Sequence, residues 1–188
     1  MPLHSTNQSS PAPHFAFLRG MNIGGRRLTN EALCGHFSAL GCRQVAAFLA
    51  SGNVSFDPPE PPPENLQAHL EEGLQRLLGY PVPTFLRGAR ELRAIADHTP
   101  FDAGTLATTA GKIQVALLSG VPSAKAEEQV RSLASADDRL ALAGRELYWL
   151  PKVGISTSEL DFKALERALG PTTVRTHRTI QRMAKKYL

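Results

Sequence analysis

The sequence predicts an α+β fold, and three observations predict it. Apolar stretches of strand length alternate with leucine-bearing stretches at helical spacing. Two apolar strands, one beginning near Phe15 and one at Ile113, lie roughly half a chain apart. After each comes the same order of elements: strand, helix, strand, tight turn, strand, helix, strand. That βαββαβ order is the ferredoxin-like one. The expectation is therefore two tandem ferredoxin-like halves related by duplication, with antiparallel sheets carrying helices on one face.

Composition sets the boundaries. Residues 1–13 are rich in Ser, Pro, Gln and Asn and lack an apolar h-region, so they read as a disordered lead-in and not as a signal peptide. Residues 14–98 form the first half, 99–111 a linker, and 112–188 the second half with a basic C-terminal helix.

Each element has a local cause. His14–Leu18 is almost continuously apolar, as a strand buried on both faces requires. Thr29 or Asn30 caps a helix whose apolar face is Leu33, Phe37 and Leu40, and Gly41 stops it. Val45–Leu49 and Val54–Phe56 flank Ser51-Gly52-Asn53, which reads as a hairpin turn. Residues 57–63 hold five prolines and form an exposed, stiff spacer. Leu66, Leu70, Leu74, Leu77 and Leu78 line one helix face that Gly79 closes. Val82–Leu86 is a strand and Glu91–Asp97 a connecting helix, followed by a turn-rich linker.

The second half starts with alternating Ile113, Val115 and Leu117. Ser123 caps a helix bearing Ala126, Val130 and Leu133. Leu140–Leu142 and Leu147–Leu150 are strands turned at Gly144, with Tyr148 and Trp149 assigned to the core. Leu160 or Phe162, with Leu165 and Leu169, face a helix ended by Gly170-Pro171. Thr172–Arg175 is a last strand and Thr179–Tyr187 a terminal helix.

The bulk numbers restrict function. Among 188 residues, 42% are hydrophobic and 20% charged, and no apolar run approaches the ~20 residues of a membrane span, so no membrane partner is expected. Cys34 and Cys42 are too few for a disulfide framework and read as thiols in a reducing cytoplasm. The six histidines show no metal-ligand spacing, so neither metal nor cofactor is expected. Net charge is +4, yet Arg175, Arg178, Arg182, Lys185 and Lys186 stand in the last 18 residues without a single acid. Such a patch points to a nucleotide or nucleic acid as partner.

Candidate site residues lie in three stretches. In the loop from Arg19 to Arg27, Gly20 and Gly25 have the outer spacing of a phosphate-binding P-loop. Arg26 and Arg27 replace its Lys and its Ser or Thr, which argues against nucleotide hydrolysis. Backbone N–H groups around Gly20, Asn22, Gly24 and Gly25 still suit an anion, with Arg19 and Arg26 adding charge. Ser51 and Asn53 serve either a plain turn or a ligand beside that loop. Arg175, Arg178 and Arg182, at i, i+3 and i+7, share a face if the last helix begins early enough, with His177 and Tyr187 available to stack on bases.

The segments Leu18-Arg19-Gly20-Met21-Asn22-Ile23-Gly24-Gly25, Ser51-Gly52-Asn53-Val54-Ser55-Phe56 and Thr173-Val174-Arg175-Thr176-His177-Arg178-Thr179-Ile180 together resemble the DUF1697 family of small bacterial proteins. The first two are similar to its LRGINVGG-like and SGNVVF-like signatures. In the third, Arg175 and Thr179 fit, while Thr176 stands where that family usually has Asn and His177 where it has Trp. The resemblance implies two related α+β halves and assigns no activity, substrate or cofactor.

These readings favour a binding module for a phosphate-bearing ligand, with Arg19, Gly20, Asn22, Gly24, Gly25, Arg26, Ser51, Asn53, Arg175, His177 and Arg178 as its ligand-binding residues. One alternative is a small metal-independent enzyme with Arg19, Arg175 and His177 in a cleft between the halves. Another is an assembly role, with edge strands pairing in a homodimer.

Overall fold

The computed structural model describes residues 12–21, 28–49 and 52–188. The first half contains β1 (His14–Leu18), α1 (Asn30–Ala39), β2 (Arg43–Ala47), β3 (Asn53–Asp57), α2 (Leu66–Leu78) and β4 (Thr84–Gly88). Helices α3 (Ala89–Asp97) and α4 (Ala103–Ala107) lead to the second half. There follow β5 (Gln114–Leu118), α5 (Ala124–Leu133), β6 (Asp138–Ala143), β7 (Glu146–Pro151), a 3₁₀ turn at Ile155–Thr157, α6 (Phe162–Leu169), β8 (Thr172–Thr176) and α7 (His177–Tyr187).

The result is a mixed α+β structure with two four-stranded antiparallel sheets, ordered β2-β3-β1-β4 and β6-β7-β5-β8. Their registers match. Phe17 lies between Asn53 and Phe85, and Leu117 lies between Glu146 and Thr173.

Strand periodicity of two divides the interior. Phe15 and Phe17 of β1 and Val115 and Leu117 of β5 enter one shared core with Phe85, Tyr148, Ile95 of α3 and Ile180 of α7. The alternate residues face outward-lying helices. Ala16 and Leu18 pack with Leu33, Phe37, Leu70 and Leu74, under α1 and α2. Ala116 packs with Val130 and Leu165, under α5 and α6. Both faces of each sheet are therefore covered, which is why Asn53 and Ser55 are as buried as Val54 and Phe56.

The caps follow the sequence. Thr29, Asn65, Ser123 and Asp161 accept N-terminal amides of α1, α2, α5 and α6, and Gly79 ends α2 in a left-handed conformation. Four details differ. β2 begins at Arg43, two residues early, because a bulge between Arg43 and Ala46 shifts its register. Leu77 is 45% exposed, since Leu70, Gly73 and Leu74 already fill the α2 interface. The linker contains α4, capped by Asp102 through Thr105 N–H. Helix α7 starts at His177 and Arg175 belongs to β8, so Arg175 does not share a helix face with Arg178 and Arg182. Among the described residues, no helix is long and apolar enough to cross a membrane.

Candidate functional site

The three sequence motifs converge where β1 ends. From β8, the guanidinium of Arg175 reaches into the first half. Its Nη2 donates to the Leu18 carbonyl at 2.8 Å and its Nε to Asn53 Oδ1 at 2.5 Å. Nη1 donates to Thr173 Oγ1 and to the Val174 carbonyl at 2.9 and 2.8 Å. Asn53 is itself held, its Nδ2 donating to the Phe48 carbonyl at 3.1 Å. Burial pushes the Arg175 pKa down to about 10, which leaves it charged at neutral pH. The Phe17 ring centroid lies 6.0 Å from its Cζ.

Backbone geometry explains two of the motif positions. Gly52, at φ +67°, passes so close to Leu18 and Met21 that a Cβ would crowd both. Its carbonyl accepts the Leu18 N–H at 2.8 Å. Arg19 turns toward α6 and forms a fork with Glu166, Nη1 to Oε1 at 2.7 Å and Nη2 to Oε2 at 3.2 Å.

The predicted site residues thus divide. Arg19, Asn53 and Arg175 come together and tie one half to the other, and Gly20 adjoins them at φ +75°. His177 is only 8% exposed, and its Nε2 lies 2.8 Å from the Ile95 carbonyl, so it seats α7 on α3. That placement keeps it from a solvent-filled cleft and removes the acid–base group from the enzyme alternative. Arg178 is exposed on α7. Asn22, Gly24, Gly25, Arg26 and Ser51 lie outside the described residues.

Arg178, Arg182, Lys185 and Lys186 are all exposed, and none forms an ion pair with a described residue. Phe48 organises two of them, with Arg182 Cζ 5.5 Å and Lys186 Nζ 5.8 Å from its ring centroid. Tyr187 packs edge-on to the same ring and lies under Lys186 at 5.0 Å. The aromatics are thus occupied by the chain's own cations. The other tail aromatic expected to stack, His177, is buried.

Sequence reasoning missed the matching arrangement at the other end of the sandwich. Arg87 stands opposite Phe15 in the first sheet as Arg175 stands opposite Val115 in the second. Its Nη2 donates to the Leu118 carbonyl at 3.0 Å and its Nη1 to the Leu86 carbonyl at 2.7 Å. Its Nε pairs with Glu146 at 2.6 Å, and Glu146 holds the sheet position that Asn53 holds in the first half. Burial pulls the Arg87 pKa down, and Glu146 opposes that pull. Arg145 pairs with Glu91 alongside. Burial pushes Glu91 up, but the Gly88 N–H and Arg145 outweigh it and hold its carboxyl below the ordinary value. No spacing in the sequence announces the pair, since Arg87 and Arg175 become equivalent only once the two strand registers are superposed.

The sequence model described as "Protein of unknown function (DUF1697)" matches residues 12–148, well over half of the chain. The chain belongs to the DUF1697 family. The conserved bacterial protein SP0830 from Streptococcus pneumoniae offers a structural comparison only. Its structure aligns with a TM-score of 0.64 over 94% of this chain and 98% of its own, at 18% identity, which speaks to fold alone. No curated protein matches. In this DUF1697 chain the Leu18 carbonyl and Asn53 of the first two motifs meet Arg175, beyond the matched region, as a junction between sheets, and Arg19 pairs separately with Glu166. Among the described residues, no group of three or more His, Cys, Asp or Glu could hold a metal ion.

Proposed function

We propose that the chain is a two-lobed binding protein that takes the phosphates of a nucleic acid on the exposed face of α7. One observation carries the reading: Arg178, Arg182, Lys185 and Lys186 share one helix with no acid in it and no ion-paired partner among the described residues. Residues 178 to 186 span about 12 Å of helix, which suits a row of phosphates better than one compact nucleotide.

The same reading takes the lobes as ferredoxin-like units related by duplication. Supporting it are the matched strand orders and the like placement of Arg87 and Arg175. The two free thiols, Cys34 and Cys42, favour a cytoplasmic location.

Fluorescence anisotropy with a labelled oligonucleotide tests the proposal. About four phosphate contacts give a log K against log salt slope of about −3 to −4. The double change Arg178→Glu with Lys185→Glu, both at exposed positions, is expected to weaken binding by about tenfold or more at low salt. Binding that ignores salt, or that survives this charge reversal, refutes the assignment.

A further inference from the structure

A cleft of about 490 Å³ lies between the start of β6, the end of β7 and the loop bearing residues 152–159, within the size range of small-ligand sites. Asp138 stands on its wall and is only 3% exposed. Its Oδ1 accepts from Trp149 Nε1 and from Ser158 Oγ, each at 2.6 Å. Its Oδ2 accepts from no described residue. The only sealed side-chain polar atom lacking a partner among the described residues is Tyr187 Oη, so Asp138 Oδ2 keeps a narrow access to solvent on the cleft wall. A carboxylate this far from water, with two neutral donors and no counter-ion, is short of positive charge.

The rim does not supply it. Three carboxylates line the cleft, Asp137, Asp138 and Glu159, against one ammonium, Lys152, and Asp137 already holds that ammonium at 2.8 Å. Three minus one leaves a net charge of −2. Hydroxyls of Ser135 and Thr157 add polar lining. The grouping does not meet the requirements of a metal site.

We propose that this cleft binds a small organic cation, a protonated amine seated on Asp138 Oδ2 with a second positive or polar group toward Glu159. The ammonium supplies the missing counter-charge through a charge-assisted hydrogen bond, and the neutral donors on Oδ1 fix the carboxylate for it. The site is independent of the α7 face and lies on a different part of the molecule.

Trp149 is the single tryptophan of the chain and bonds the same carboxylate, so its emission reports directly on the site. The full chain is titrated with 1,4-diaminobutane, and with 1,4-butanediol as an uncharged mimic. A saturable change in Trp149 emission with the diamine and none with the diol is the expected result. Asp138→Asn is expected to weaken diamine binding by about tenfold or more. Glu159→Gln, at an exposed position, is expected to weaken it about two- to fivefold and provides the decisive variant should Asp138→Asn fail to fold. An equal response to the diol, no saturable response to the diamine, or unchanged affinity in the folded variants overturns the proposal.

Discussion

The guanidinium of Arg175 serves acceptors from both halves at once: the Leu18 carbonyl and Asn53 from the first, Thr173 and the Val174 carbonyl from the second. A planar fork reaches these diverging acceptors, and a lysine ammonium, a point charge on a flexible stem, would not. A quieter residue gives a prediction at this scale. Cys42 is buried in the core under α1, and burial pushes its thiol from the ordinary 9.0 up to about 12. Native protein should therefore expose Cys34 to an aromatic disulfide reagent at mildly alkaline pH and keep Cys42 unreactive until it unfolds. Because the unfolded thiol ionises first, the folded state binds more protons between pH 9.0 and about 12, and stability falls as pH rises through that window. Urea titrations across the window should show this decline, and Cys42→Ala should remove its thiol-dependent part.

At the scale of elements, glycines discriminate between open and crowded backbone. Gly35 in α1 has nothing within 4 Å of where a Cβ would stand, so Gly35→Ala should stabilise by about 0.5–1 kcal/mol. At Gly111 a Cβ would overlap the Pro151 carbonyl oxygen, which is backbone and cannot swing aside. Gly111→Ala should cost more than about 1–3 kcal/mol and displace the linker from the end of β7, where Gly111 and Ala110 donate to the Lys152 carbonyl. Thermal denaturation of the two variants, with shifts of opposite sign, checks both.

Elements with strong local chemistry were readable from the sequence. The capped helices at Thr29 and Ser123 and the glycine stops at Gly79 and Gly170 appear where side-chain acceptors and positive φ demand them. What local chemistry does not encode was lost. The early start of β2 depends on a bulge, with Gln44 at φ +48°, that no residue type there announces. The inter-half ladder of Arg87, Glu146, Arg145 and Glu91 joins residues 54 to 59 positions apart, beyond any spacing rule. At the site, Asn53 and Arg175 lie in contact, but local sequence does not encode the partners of the cations around them. Arg19 looks in sequence like an anion ligand, and only tertiary structure brings Glu166 to neutralise it. His177 likewise becomes a packing residue because α3 ends beneath it.

For the whole molecule, the shared core and the two arginine crossings make the halves interdependent. Phe15, Phe17, Val115 and Leu117 occupy a single apolar cluster, so neither sheet keeps its inner face dry without the other. Unfolding monitored by calorimetry and by Trp149 fluorescence should therefore follow one transition, although the sequence divides into two lobes. Removing the Arg87 side chain leaves Glu146 and the Leu118 carbonyl without their buried donor. Arg87→Met is thus expected to cost about 3–5 kcal/mol by urea denaturation, where an exposed cation such as Lys185→Met costs under about 0.5 kcal/mol.

The region matched by the family model closes at Tyr148, inside β7, and so omits β8 and α7. Those two pieces supply the outer strand of one sheet, the Arg175 crossing, and Ile180, Met183 and Ala184 beneath the phenylalanines of the other lobe. A clone trimmed to that border would carry every signature of the first lobe and still present bare aromatic surface to water. For relatives of this chain, expression borders are better drawn where the apolar interior closes than where sequence similarity fades.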